Sequence, residues 1–181
     1  GMRPLRRATV AHATLRAVCG QLIESSRARA IERSILRAAG TACPTREQLA
    51  RFSPAELRRH GLATARAGTL VRLCRTVDLE RLRTASGDAA MARLAREPGI
   101  GPWSCGVIAL EGLGRYDHGA VGDLGLVKLA TALRRRRVEP AETAELLAPY
   151  GEWRGLAGHV LLAGWSRGLV PGADPDLARA A

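Results

Sequence analysis

The sequence has few of the features that mark membrane, secreted or metal-binding proteins. Its longest nearly apolar stretch, residues 155–165, is shorter than the roughly 20 residues that cross a bilayer, and no charged and apolar leader precedes a cleavage site. The four cysteines and four histidines are scattered, without a Cys-x-x-Cys pair. We therefore expect a cytoplasmic protein with reduced cysteines, no membrane partner and no metal site built from these side chains.

Lysine and aromatic residues are also scarce. Lys128 is the only lysine, so the net charge of +11 comes almost wholly from arginine, and aromatic residues make up 3% of the chain. Guanidinium groups bind phosphates through several donors, and neutralising phosphates releases counterions. The composition favours a nucleic-acid partner, although an arginine-rich coding bias would give the same excess.

Apolar residues are abundant, and many recur at helical intervals. They make up 46% of the chain, and its 181 residues are enough for one core but too few for two independent domains. Thr45 with Gln48, and Ser53 with Glu56, have the spacing of capping boxes, and strand signals are scarce. We predict a single all-α domain. The expected helices, about ten in number, lie at residues 8–19, 24–39, 46–51, 54–60, 63–76, 87–96, 103–112, 123–135, 140–149 and 154–168.

The most informative stretch runs from Arg96 to Lys128. The two glycines in Pro98-Gly99-Ile100-Gly101 allow a tight turn between two predicted helices, whose backbone N–H groups can face an anion. Such a hairpin can hold a DNA phosphate without reading sequence. Alone this is weak evidence, because many helical hairpins are only turns. It is not a dinucleotide fingerprint either, since no strand precedes it.

The run EPGIGPWSCGVIALEGLGRYDHGAVGDLGLVKL resembles the signature of the helix-hairpin-helix DNA glycosylase superfamily, in its 3-methyladenine DNA glycosylase II branch. The similarity continues in AVCGQLIESSRARAIERSIL, HGLATARAGTLVRLCRTVDLERLR and WRGLAGHVLLAGW, so it covers most of the chain. It implies an all-α fold with two lobes around a cleft that takes double-stranded DNA containing damaged bases, in a monomer. The domain would span residues 1–181, with the hairpin at 88–112, a catalytic loop at 119–123 and a surface tail at 171–181.

The resemblance assigns the catalytic role to Asp123. The positive end of a helix dipole favours a carboxylate at that position, and a fixed anion can stabilise the oxocarbenium ion that develops as a base leaves its sugar. The alternative is that Asp123 is simply an N-cap, worth about 1 kcal/mol. Both interpretations can hold together.

The same resemblance argues against strand cleavage. Relatives that cleave the backbone have a nucleophilic lysine two positions after the second hairpin glycine, where this chain has Trp103. Their iron-sulfur branch needs four closely spaced cysteines, which the sequence lacks. We expect no lyase activity, no iron-sulfur cluster and no required cofactor. A structural Na⁺ or K⁺ on the backbone carbonyls of Pro98 and Ile100 is implied by relatives, and Lys128 is expected to contact phosphate.

Two tryptophans are assigned to the base pocket, Trp103 from the hairpin helix and Trp165 from the last helix. An indole face attracts a cation, so an alkylated purine that carries positive charge would bind there and would leave without a general acid. Core packing is the alternative for each. Gln21 and Leu22 match the wedge that this branch inserts into the gap left by a flipped nucleotide. A core leucine is the alternative for Leu22.

These observations predict a monofunctional glycosylase that hydrolyses the N-glycosidic bond of 3-methyladenine-type bases in duplex DNA during base excision repair, in a nucleoid-associated cytoplasmic location. Two alternatives stay open: a non-catalytic helix-hairpin-helix DNA-binding protein, and a glycosylase for neutral lesions such as uracil, hypoxanthine or adenine. The DNA-binding set comprises Gln21, Leu22, Pro98, Gly99, Ile100, Gly101 and Lys128.

Overall fold

The computed structural model describes residues 4–174, and this part of the chain is helical without a β-strand. The prediction of an all-α fold is confirmed. No helix within residues 4–174 combines the length and apolar character needed to span a membrane. The α-helices are α1 Val10–Gly20, α2 Ser25–Ala38, α3 Arg46–Ala50, α4 Pro54–Arg59, α5 Thr64–Thr76, α6 Gly87–Ala95, α7 Pro102–Val107, α8 Leu124–Arg134, α9 Thr143–Leu147 and α10 Arg154–Trp165. Short 3-10 helices lie at Glu80–Arg83, Pro140–Glu142 and Ala148–Trp153, and α7 continues as a π-helical segment at Ile108–Leu113.

Both predicted capping boxes are present. The Thr45 N–H donates to Gln48 Oε1 at 2.8 Å at the start of α3, and the Ser53 N–H donates to Glu56 Oε2 at 2.7 Å at the start of α4. In each pair the hydroxyl also accepts from the backbone N–H of its partner. These side chains satisfy backbone donors that the first turn of a helix leaves without intrahelical partners.

The described residues form two compact units. The first unit comprises residues 5–114 with α1 to α7, and the second unit comprises Pro4 and residues 115–174 with α8 to α10. In the first unit α1 is the central helix, because nine of its 11 residues are buried. Its small residues allow close packing: a Cβ built on Gly112 would lie 2.8 Å from Ala13 Cβ.

The second unit has a smaller apolar core, formed by Leu126 and Leu129 of α8 with Leu147, Trp165 and Ala173. Ala173 is buried although it belongs to the segment predicted as a surface tail. Residues 175–181 of that tail lie outside the described residues.

Positive charge is concentrated in the first unit. Residues 5–114 contain 18 arginines against nine acidic residues, whereas residues 115–174 contain eight basic and seven acidic residues. In α2 the side chains of Arg29, Arg33 and Arg37 are exposed and spaced four residues apart, so they share one face of the helix. An anionic partner would therefore be attracted mainly to the first unit.

A buried acidic residue joins α2 to α1 within the first unit. Glu32 accepts from His12 Nε2 at 3.0 Å, and its oxygens lie 3.3 Å from Arg7 Nη2 and 3.8 Å from Arg16 Nε. Burial raises the pKa of the Glu32 carboxyl, but the hydrogen bond from His12 and the charges of Arg7 and Arg16 outweigh it, so the pKa lies below its ordinary value. The charge is thus compensated by named neighbours, as a buried carboxylate requires.

Candidate functional site

The hairpin between α6 and α7 is built on a glycine that no other residue can replace without strain. Gly99 has φ +84°, and a Cβ there would collide with the Thr69 side chain of α5. Ile100 is 6% exposed and anchors the turn in the core, while its N–H donates to the Glu97 carbonyl at 3.0 Å. Pro98, Gly99 and Gly101 are exposed. The turn is therefore fixed on one side and open to solvent on the other.

A second exposed turn follows α1 and is attached to this hairpin. Leu22 is 87% exposed and has φ +53°, a left-handed conformation that is costly for a leucine. The preceding Gln21 donates from Nε2 to the Gly99 carbonyl at 2.8 Å and to Ser104 Oγ at 2.9 Å. Leu22 is not a core residue, and the core alternative for it is wrong.

Trp103 lies on the inner side of the same turn. A Cβ built on Gly20 would be 2.6 Å from Trp103 Cη2 and 2.9 Å from Arg16 Nη1, so the indole and the guanidinium both contact the Gly20 backbone. The Trp103 side chain is partly buried. The tryptophan predicted for the base pocket thus lies next to the predicted wedge.

Asp123 is the N-cap of α8 in the second unit. Its Oδ1 accepts from the backbone N–H of Gly125 at 2.8 Å and of Leu126 at 3.3 Å, which confirms the N-cap prediction. The loop before it is held by the Gly122 N–H, which donates to Thr143 Oγ1 at 2.8 Å. Asp123 is half-buried, so its carboxylate is fixed in position without being enclosed in a core.

Part of the chain is similar in sequence to a DNA repair enzyme. No family model matches the chain. It is 33% identical over 114 residues to a probable bifunctional transcriptional activator/DNA repair enzyme AlkA of Mycobacterium tuberculosis, a match that covers 61% of the chain and 22% of that protein. The chain therefore spans about a fifth of the length of the curated relatives that it matches.

Solved structures of DNA glycosylases superimpose on most of the chain. The 3-methyladenine DNA glycosylase from Archaeoglobus fulgidus gives a TM-score of 0.80 at 19% identity, over 92% of this chain and 62% of that one. Schizosaccharomyces pombe Mag1, a 3-methyladenine DNA glycosylase in complex with abasic DNA, gives 0.77 at 20%, over 92% and 85%. The Clostridium acetobutylicum 8-oxoguanine glycosylase/lyase in complex with DNA gives 0.78 at 17%, over 91% and 62%. The chain has the helix-hairpin-helix DNA glycosylase fold.

Within this glycosylase fold, a residue that the sequence did not single out lies near Gly125, which the Asp123 carboxylate caps. A Cβ built on Gly125 would lie 2.8 Å from Leu162 Cδ2 and 3.0 Å from Asp123 Oδ1. Trp165, which was predicted for the base pocket, is instead 9% exposed and packs in the core of the second unit. Its indole N–H has no hydrogen-bond partner among the described residues. Burial favours core packing for Trp165, whereas Leu162 of α10 lies close to Gly125, the residue that also contacts the Asp123 carboxylate.

The resemblance implies a monovalent cation bound by the backbone carbonyls of Pro98 and Ile100. The Pro98 carbonyl already accepts a hydrogen bond from a positively charged side chain. The Pro98 carbonyl accepts from Arg72 Nη2 at 2.5 Å and lies 3.5 Å from Thr69 Oγ1. A metal cation on the same oxygen would be repelled by the guanidinium already bound there. A cation shared by Pro98 and Ile100 is therefore not supported, and the hairpin is stabilised through Arg72 instead.

Two sets of basic residues in the second unit have different surroundings. Lys128 is exposed on α8, as a phosphate contact requires. The arginine run after α8 is engaged locally: Arg134 and Arg136 pair with Glu142 at 3.0 and 2.5 Å. A hydrogen bond from Arg136, then one from the Glu139 N–H, lower the pKa of the Glu142 carboxyl to about 2. Arg134 and Arg136 are therefore paired with acidic residues of their own unit.

The cysteine and histidine side chains of residues 4–174 form no cluster of three or more potential metal ligands with acidic residues. All four cysteines are free thiols. Burial raises the pKa of Cys19 and of Cys74 to about 12, which keeps both thiols protonated and unreactive at neutral pH.

Proposed function

We propose that the chain is a monofunctional DNA glycosylase that removes alkylated purines of the 3-methyladenine type from duplex DNA during base excision repair. The observation that carries the proposal is the half-buried carboxylate of Asp123, fixed at the start of α8 in a chain with the glycosylase fold. Solved structures with this fold include 3-methyladenine DNA glycosylases and an 8-oxoguanine glycosylase/lyase.

In the proposed reaction, the bond between the base nitrogen and the sugar C1′ breaks, and its electron pair leaves with the base. The sugar becomes an oxocarbenium ion, which the negative charge of Asp123 stabilises. Water then attacks C1′ and loses a proton, leaving an abasic site. A base that is cationic before cleavage departs as a neutral molecule, so this reaction needs no general acid.

The proposed DNA-binding residues lie mainly in the first unit. Exposed backbone at Gly99 and Gly101, at the N-terminus of α7, can hold a phosphate, and the excess of arginine supplies the sequence-independent attraction. Lys128 adds a phosphate contact from the second unit. A monomeric state and a nucleoid-associated cytoplasmic location stay predictions that accompany this proposal.

Trp103 supports two finer parts of the proposal. It occupies the position at which lyase-active relatives carry the nucleophilic lysine, and an indole cannot form a Schiff base with the sugar. Its partly exposed ring can also bind a cationic purine through a cation–π interaction. Both points favour hydrolysis of alkylated bases without strand cleavage.

A base-release assay tests the proposal. Duplexes containing methylated purines, 8-oxoguanine, uracil or hypoxanthine are incubated with the protein, and free base and strand breaks are measured before and after alkali. We expect release of methylated purine, breaks only after alkali, and no DNA adduct after borohydride treatment. Binding without release would support the non-catalytic alternative, release of a neutral base would revise the substrate, and a borohydride-trapped adduct would show lyase chemistry.

A further inference from the structure

The side chain of Gln21 connects the exposed turn after α1 to the hairpin. Its amide nitrogen lies 2.8 Å from the Gly99 carbonyl and 2.9 Å from the hydroxyl of Ser104, a residue that is 2% exposed. A carbonyl oxygen can only accept, so the atom that faces Gly99 must be the NH₂ group of the amide. Both amide hydrogens are therefore used within the protein.

We propose that Gln21 is a positioning residue that attaches the turn carrying the Leu22 wedge to the phosphate-binding hairpin, and that Gln21 itself does not contact DNA. This inference rests on the proposed function, because it assumes that Leu22 enters the duplex. The sequence alone groups Gln21 with the DNA-binding residues, and the proposal replaces that role.

The residues on either side of Gln21 also indicate that the turn is attached to the hairpin. Gly20 is in contact with the Trp103 ring, which follows the hairpin, so the turn touches the hairpin helix through its backbone as well as through the Gln21 amide. Leu22 has φ +53°, a left-handed conformation that is unfavourable for a leucine and persists only where the surrounding structure enforces it. The two hydrogen bonds of the Gln21 amide help to enforce this conformation, which leaves the Leu22 side chain exposed to solvent.

A direct DNA contact by the Gln21 amide would conflict with these hydrogen bonds. To donate to a base or a phosphate, the NH₂ group would have to leave the Gly99 carbonyl or the Ser104 hydroxyl. The buried Ser104 hydroxyl would then lose a partner, which is unfavourable because burial has already removed its hydrogen bonds to water. The arrangement favours a different use, in which hairpin and wedge move together and a phosphate held by the hairpin sets the depth at which Leu22 enters.

A double-mutant cycle tests the assignment, with binding to a duplex that contains a stable abasic-site analogue as the readout. The four proteins are the wild type, Gln21→Ala, Leu22→Ala and the double variant. If Gln21 acts through Leu22, Gln21→Ala should weaken binding about tenfold in the wild-type background, as expected for loss of hydrogen bonds worth roughly 1.4 kcal/mol. When Leu22 is already alanine, the same substitution should weaken binding less than about twofold. Equal losses in both backgrounds, or no loss in either, would overturn the assignment.

Two further variants separate positioning from general damage. Gln21→Glu nearly preserves the shape but replaces the donor with an oxygen facing the Gly99 carbonyl, so we expect it to lose as much affinity as Gln21→Ala; wild-type affinity would contradict the proposal. Gln48→Ala is the control, because Gln48 is the other glutamine of the chain and caps α3. We expect it to lower stability without changing affinity for the abasic duplex.

The design distinguishes failure of this inference from failure of the proposed function. A wild type that releases none of the tested bases and binds abasic and undamaged duplexes equally would overturn both. A wild type that prefers the abasic duplex, combined with an additive cycle, would overturn the role of Gln21 alone.

Discussion

The Asp123 carboxylate accepts a hydrogen bond from the Gly125 N–H at 2.8 Å, so the residue proposed for catalysis also begins α8. A capping interaction needs only a side-chain oxygen, whereas stabilisation of an oxocarbenium ion needs a negative charge. The two roles can therefore be separated by a substitution that keeps the oxygen and removes the charge.

We predict that Asp123→Asn keeps the fold and loses base excision. Asparagine caps helices about as well as aspartate, so the free energy of unfolding should change by less than about 1 kcal/mol. The excision rate should fall at least about 100-fold, because the charge under the developing cation is gone. Thermal unfolding and single-turnover base release measure the two effects. Asp123→Ala is the control that should lose both the cap and the activity, and near-normal excision by Asp123→Asn would remove Asp123 from the mechanism.

The hairpin gives a second prediction, at Gly99. An alanine there needs a left-handed backbone and collides with Thr69, so Gly99→Ala should destabilise the first unit by about 2–3 kcal/mol. Gly101→Ala is the matched control, since its Cβ position meets no atom of a more distant residue within 4 Å and its φ is −96°. Chemical denaturation of the two variants measures the difference. Equal stabilities would show that the turn is not fixed against α5.

The sequence allowed parts of this fold to be predicted because local chemistry determines them. The capping boxes at Thr45 and Ser53 form within four residues, and glycine at 99 is required by a turn whose ends are adjacent in sequence. The position of Asp123 as an N-cap was predictable for the same reason. These features depend on short-range geometry and not on how helices pack.

Features that depend on packing were not predictable in this way. Helix α10 carries apolar residues on several faces, so helical periodicity could not show that Leu162 lies near Gly125 while Trp165 enters the core. The Arg72 side chain reaches the Pro98 carbonyl from α5, 26 residues away in sequence, which no local pattern reveals. The predicted helix at 103–112 becomes π-helical from Ile108, where it packs against α1.

Leu22 provides a third prediction, in which stability and binding change in opposite directions. Glycine adopts φ +53° without the steric cost that leucine bears, and Leu22 is too exposed to contribute much burial energy. Leu22→Gly should therefore raise stability slightly, by up to about 1 kcal/mol, while it weakens binding to abasic duplex. Thermal unfolding and fluorescence anisotropy measure the two quantities. A large loss of stability would show that Leu22 packs against the protein, and unchanged affinity would show that it is not the wedge.

The Glu32 cluster gives a fourth prediction, on pH dependence. Burial raises the pKa of Glu32, but the His12 hydrogen bond and the charges of Arg7 and Arg16 lower it below its ordinary value of 4.5. A carboxyl whose pKa is lower in the folded state than in the unfolded state stabilises the fold above the ordinary value, and this stabilisation disappears as the pH falls through the folded pKa. Protonation of Glu32 should therefore weaken the first unit at acidic pH.

Glu32→Gln tests this expectation, because it removes the charge with little change of shape. At pH 7 the variant should be less stable than the wild type by about 3 kcal/mol, as expected when one partner of a buried ion pair is lost. The difference should shrink as the pH falls below about 4.5, where the carboxyl of the unfolded wild type takes up a proton, and it should be lost once the pH falls through the lower pKa of the folded state. Denaturant unfolding at pH 7, 5, 4 and 3 measures it, with Glu152→Gln at an exposed position as the control that should show no such gap. A difference that stays constant down to pH 3 would mean that the ionised carboxylate of Glu32 does not stabilise the link between α1 and α2.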